Sequence, residues 1–289
     1  MRDFSKLTIV SVTGLQAVAE GAARAIAHGM HRLPGSRGLL LSPTPPAAMS
    51  SQIKHVALKP FGYLEYSIFV LYCLEQFVET EFALIVQNDG WILNENNWRD
   101  EFWEYDYLGA PVHLARVWEN GAPTYKAGFS WVQDMMAGAQ VDPVFNGGFS
   151  LRSRRLLAAP GRLGLDYCLT PPSVSRTAPY TMQWEGESAL EDVWLCLTAR
   201  EKLAAAGLRF PSLEVARLFS IEHAAPMLHS PELVLQVFGQ HSRLRSIGNP
   251  EGSCMCYELS ELQAQSIYGE CWIADAFKKN GYKIQWRSS

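Results

Sequence analysis

The sequence has no excess of either charge. Its 25 Lys and Arg stand against 29 Asp and Glu, a formal net charge of -4. Without a basic footprint, nucleic-acid binding has no electrostatic support. No apolar run approaches the ~20 residues of a membrane helix, so no membrane span is expected. The start, Met1-Arg2-Asp3-Phe4-Ser5-Lys6, lacks a signal-peptide layout. Cysteines are few and scattered, 6 in 289 residues. Cys73 and Cys196 fall in apolar helical patterns, where buried thiols are ordinary. Cys254-Met255-Cys256 lacks the second pair or histidine cluster of a zinc site. A reduced, cytoplasmic compartment is the expectation. There is no internal repeat, and Gly14 stands alone after the first strand, which excludes a dinucleotide fingerprint.

What is present is a strand–helix alternation. Hydrophobic residues make up 48% of the chain, enough for one large domain or two small ones. Leu7–Val12, Gly38–Ser42, Ile53–Leu58 and Phe82–Val86 read as strands. Gln16–Met30, ending near Gly29, and Tyr63–Val78, with apolar residues at three-and-four spacing, read as helices. This order predicts an α/β fold, with a mostly parallel central sheet flanked by helices. Further on, Asn96–Tyr105 reads as a short aromatic helix and Asp106–Pro111 as a strand and a stop. Residues 112–140 carry Trp118, Tyr125, Phe129 and Trp131 among glycines and polar residues. They read either as a mobile lid or as an insertion packed on itself. The Pro-rich stretch Gly161–Glu187 is expected in a site wall, and Glu191–Ala206 as a helix stopped by Gly207. Residues 1–248 are read as one domain. Residues 249–289 form an extension, with a helix over about Glu258–Lys279 and a strand at Tyr282–Trp286, packed on that domain or used in a homo-oligomer.

The most informative stretch is Phe82-Ala-Leu-Ile-Val-Gln-Asn-Asp-Gly90. A buried strand that ends in an acid on a glycine turn places Asp89 at the sheet edge, where ligands of open α/β sheets bind. In isolation Asp-Gly is ordinary turn chemistry. Asn146-Gly147-Gly148 permits close backbone approach, and Arg152, Arg154 and Arg155 follow it, either as a solvated helix face or as partners for a diphosphate. Glu191 and Asp192 open a helix. Ser188 to Glu191 has capping-box spacing, which explains Glu191 and leaves Asp192 as the better functional candidate. His241, with His223 as its rival, is either a satisfied structural histidine or a ligand.

The order of these signals resembles a bacterial group of glycosyltransferase-like proteins with the GT-A fold, over residues 7–245. The matching stretches are Ala83–Gly90, Tyr105–Pro111, Asn146–Arg154, Glu191–Trp194 and Phe238–His241. The resemblance implies a Rossmann-like sheet that binds a nucleotide sugar, UDP-linked first of all, and transfers the sugar to a surface-polysaccharide-like glycan or other acceptor. It implies Mn²⁺ or Mg²⁺ on the diphosphate, held by Asp89 as the last acid of a DxD motif and by His241. It places Thr13, Gly14, Tyr63, Tyr66 and Asn88 at the nucleotide donor, with Gln87 at its ribose or sugar. Asn146, Gly147, Gly148 and Arg152 fall at sugar and acceptor. The Glu191-Asp192 pair resembles the catalytic xED motif, with Asp192 as general base. The departure is Gln87, an amide where the first DxD acid stands. It motivates a second hypothesis, a non-catalytic nucleotide- or glycan-binding protein on a degenerate scaffold. A methyltransferase on a similar sheet is third, lacking a glycine-rich loop after the first strand.

Overall fold

The structure, a computed structural model, describes residues 2–119, 121–168, 173–174, 177–178, 182–183, 190–249 and 253–288. About half of the expected site wall Gly161–Glu187, and the cap residue Ser188, lie outside them. Among the described residues no helix is long and apolar enough to cross a membrane.

β1 (Leu7–Val12) is buried along its whole length. α1 (Gln16–Arg32) outruns the expected stop near Gly29. Gly29 is a packing glycine: a Cβ there would stand 2.9 Å from Ile9 of β1. β2 (Arg37–Ser42), β3 (Ile53–Ala57) and α2 (Tyr63–Tyr72) follow, and the expected helix to Val78 gives way to a 3-10 turn, Leu74–Phe77. β4 (Phe82–Val86) and β5 (Gly90–Ile92) flank the acid turn. β6 (Tyr107–Glu119) runs through the expected stop at Pro111. Its ladder slips on both sides of that residue, which has no N–H to give.

β7 (Ala122–Lys126) and α3 (Trp131–Met136) fill the segment that reads as irregular. Trp131 and Val132 are buried there with Ala115, Val117, Leu213, Ala225 and Leu228. Of the two readings of this segment, the insertion fits: it packs in a small core shared with residues 213–228.

β8 (Val141–Ser153) and α4 (Arg154–Arg162) precede a short ladder of β9 (Ser173–Val174) and β10 (Met182–Gln183). α5 (Glu191–Val193) leads into a π-type turn, Trp194–Thr198, then α6 (Arg200–Ala205), so the expected helix from Glu191 is interrupted. Gly207 stops it at φ 82°. α7 (Leu213–Phe219), β11 (Ser220–Ile221), α8 (Pro231–Val234) and β12 (Gly239–His241) come next. The tail holds β13 (Arg245–Ile247), β14 (Cys254–Tyr257), α9 (Glu261–Gln265), α10 (Glu270–Lys279) and β15 (Lys283–Gln285). Its expected single helix is two, broken at Gly269 (φ 71°).

The central sheet is ordered β3-β2-β1-β4-β8-β6-β7. β3, β2, β1 and β4 are parallel, but β8, β6 and β7 each run antiparallel to the strand before them in that order. The fold is mixed α/β, parallel only in its first half. Strand order reverses at β1, which leaves a crevice at the carboxyl ends of β1 and β4. A second small sheet, β11-β12-β5, sets His241 opposite Gly90. The tail closes the core beneath it. Tyr282 donates its hydroxyl to Ile92 O at 2.8 Å, and the Phe277 ring stands 6.0 Å from Trp91.

Candidate functional site

The acid turn and the histidine strand are stitched together by backbone. Ser242 N donates to Asp89 O at 2.9 Å and Gln240 Nε2 to the same oxygen at 3.2 Å. Gly239 is required below them, since a Cβ there would lie 2.1 Å from the buried Phe149 ring. His241 consequently points into the site, with Nε2 3.4 Å from Asp89 Oδ1 and 3.3 Å from Gln87 Oε1. Its Nδ1 faces Glu222 Oε1 at 3.7 Å. Burial alone would push this imidazole down, but Asp89 and Glu222 bring it up to about 10. Asp89, which burial would raise, is instead held below the usual carboxylate range by His241. Both carboxylates thus favour the protonated form of His241.

Glu222 is absent from the sequence-derived candidates. The signal was available: Phe219-Ser-Ile-Glu222 repeats the strand-then-acid pattern of Asp89, and β11 lies parallel to β12 with Ile221 opposite Gln240. His223, the rival histidine, lines the same cleft.

Asn146-Gly147-Gly148 forms the floor, in the middle of β8. Asn146 Nδ2 donates to Glu222 Oε2 at 2.9 Å, while its Oδ1 accepts from Gly148 N at 2.7 Å and Phe149 N at 3.2 Å. A Cβ on Gly148 would sit 2.3 Å from His241 Nε2, and one on Gly147 2.3 Å from Glu191 Oε1. Both glycines are where the backbone must pass close beneath functional side chains.

Glu191 and Asp192 separate. Glu191 turns into the core and accepts from Arg152 Nη2 at 2.7 Å, the two side chains being 2% and 1% exposed. Arg152, expected at sugar or acceptor, lies beneath the cleft instead, its guanidinium 5.1 Å from the Tyr107 ring. Asp192 faces the cleft, with Oδ2 accepting from Gly147 N at 3.0 Å and Oδ1 from Val193 N at 2.8 Å. Burial, then the neighbouring Glu191, pushes its carboxyl up to about 7. The π-type turn that follows lets Cys196 Sγ accept from Phe145 N at 3.4 Å, which ties this helix to the Asn146 loop.

Two adjoining cavities result. One, of 210 Å³, lies in the β1–β4 crevice and takes in Thr13, Gly14, Tyr63, Tyr66, Gln87 and Asn88. The other, of 410 Å³, takes in Asp89, Asn146, Gly147, Gly148, Asp192 and His241, and shares Tyr63 and Gln87 with the first. Gln87 bridges them, since its Nε2 donates to Tyr66 Oη at 3.1 Å. A larger groove of 590 Å³ opens at the opposite end of β4. Its Arg154, Arg155 and Arg209 are paired with Glu75, Asp106 and Glu104.

Residues 66–241 match the family described as protein of unknown function (DUF5672). The chain belongs to this family. The DUF5672 segment begins at Tyr66 and ends at His241, so it contains Asp89, Asn146, Asp192 and Glu222, while Thr13, Gly14 and Tyr63 precede it. Its description carries no activity, and the likeness to glycosyltransferases rests on the motifs alone. No curated protein matches the chain.

Among the described residues, no three His, Cys, Asp or Glu side chains form a group that could hold a metal ion. Asp89 Oδ1 is nevertheless buried without a hydrogen bond. Its 3.4 Å separation from His241 Nε2 is a span that one ion with ligand bonds of about 2.1 Å bridges. One carboxylate and one imidazole would supply two ligands, and a cation held there would need the rest from elsewhere. His241 would release its proton on binding.

Proposed function

We propose that this protein is a nucleotide-sugar-dependent glycosyltransferase of the GT-A type, acting on a glycan or similar hydroxyl acceptor. One observation carries the reading. Asp89, Asp192 and His241, far apart in the chain, line one cleft that shares Tyr63 and Gln87 with the crevice pocket. The nucleotide belongs in the crevice, between Thr13, Gly14 and the Tyr63–Tyr66 pair, whose rings stack at 5.9 Å. The diphosphate then passes Gln87 towards Asp89 and His241, and the sugar lies over Gly147 and Gly148.

Asp192 takes the acceptor proton. Its carboxyl, raised towards neutrality by burial and by Glu191, is a stronger base than an ordinary aspartate yet is still ionised above about 7. Two backbone N–H groups fix its orientation. Glu191, committed to Arg152, acts through position and charge rather than by proton transfer. Glu222 stands 3.7 Å from the other ring nitrogen of His241 and by its charge favours an orientation with Nε2 towards Asp89, the place that outer carboxylates take beside metal-bound histidines. A bound Mn²⁺ or Mg²⁺ would neutralise charge on the departing nucleoside diphosphate.

The test is a thermal-shift screen of nucleotide sugars with and without Mn²⁺, because a ligand that binds only the folded state raises its stability. A shift for at least one donor, enlarged by Mn²⁺, supports the reading. No shift for any donor overturns it. A second reading, a nucleotide- or glycan-binding protein without turnover, is favoured by Gln87 and by an imidazolium that already balances Asp89. Saturable binding with no release of nucleoside diphosphate would select it.

A further inference from the structure

We propose that the C-terminal segment beyond the family match completes this cleft, with Arg245, held by Glu270, as a positioning residue for Asp89, Glu222 and His241. The inference rests on the reading that this cleft is the working site.

Arg245 and Glu270 meet at 2.6 Å with side chains 0% and 1% exposed. All three guanidinium nitrogens are engaged. Nη1 donates to Glu270 Oε1 at 2.6 Å, Nε to Gln240 Oε1 at 2.9 Å, and Nη2 to the Glu222 carbonyl at 2.8 Å. Gln240 in turn donates from Nε2 to the Asp89 carbonyl at 3.2 Å. One planar fork therefore fixes the backbone that carries Glu222, the strand that carries His241 and, through one amide, the turn that carries Asp89. Only arginine offers donors in that fixed arrangement.

The docking of α10 does not rest on this pair alone. Ile273, Ala274, Ala276 and Phe277 already bury that helix's apolar face. A buried ion pair is also a weak source of stability, since apolar replacements of similar volume are often as stable or more so. What the pair contributes is placement of the site, and its counter-charge comes from the tail.

Two variants and two readouts test this. Arg245→Met/Glu270→Leu removes both charges together, and Arg245→Lys keeps a cation beside Glu270 but loses the fork. The first readout is the ¹⁵N imidazole spectrum of the free protein, with the His241 signals assigned by their loss in His241→Gln. The second is the dissociation constant of UDP in the presence of Mn²⁺. Both variants should unfold cooperatively and show displaced His241 signals, with UDP binding weakened at least about tenfold, as for other outer-shell partners. A folded variant with wild-type His241 signals and wild-type affinity overturns the proposal. Should the double variant fail to fold, Arg245→Lys decides by the same criteria. If the wild type itself binds no UDP, the glycosyltransferase reading fails, and the His241 spectra still decide the positioning role.

Discussion

A carboxylate that takes a proton near neutral pH must be partly desolvated yet free to accept, and Asp192 meets both needs while Glu191 is desolvated but already paired. Glu191 is spent on Arg152 in the core. In the proposed role of base Asp192 works ionised, so turnover should rise with pH through about 7 and level off above it. That acid limb should be missing from the residual activity of Asp192→Asn. The sign for stability is the reverse. The folded-state value lies above the ordinary 3.8, so the group's contribution is fully present below about 3.8 and is lost as pH climbs to about 7. Asp192→Asn should therefore gain melting temperature relative to wild type at pH 8 more than at pH 5; an equal gain at both would contradict the raised value. Gly148→Ala would drive a methyl against His241 Nε2, 2.3 Å away. It should cost about 1–3 kcal/mol in denaturant unfolding and abolish nucleotide binding, whereas wild-type binding would show that the floor can give way. Asp89, Asp192 and His241 were legible as residues because each ends or opens an element. Arg152 was not: a cation in a polar motif reads as a ligand contact until its burial against Tyr107 and Glu191 is seen.

At the scale of elements, local pattern carried the regular strands and helices of the first ninety residues and failed where tertiary packing decided. Pro111 reads as a terminator, yet β6 passes through it by slipping register against β8. Residues 112–140 read either as a lid or as a packed insertion because their aromatics lie among glycines, and only the burial of Trp131 in a separate small core separates the two. Trp131→Ala should accordingly destabilise the protein by about 3–5 kcal/mol, measured by equilibrium denaturation. A lid tryptophan would cost almost nothing.

For the whole molecule, strand–helix alternation announced the parallel half of the sheet. The antiparallel half and the tail depend on pairings distant in sequence, which no short window displays. Tyr282 reaches His28 at 2.9 Å and Ile92, and Glu270 reaches Arg245. A chain ending at Gly248 should thus lack part of its core and lose cooperative thermal unfolding, and a cooperative transition at the wild-type temperature would show the tail to be dispensable. The chemistry proposed for the cleft is read out by nucleoside diphosphate release from a panel of nucleotide sugars, with Mn²⁺ and an acceptor glycan mixture, by wild type and Asp192→Asn. The prediction is turnover of at least one donor by wild type, and a loss of about 10²–10⁴-fold in a variant that still binds that donor. Full turnover by Asp192→Asn, or binding without turnover by wild type across the panel, would contradict it.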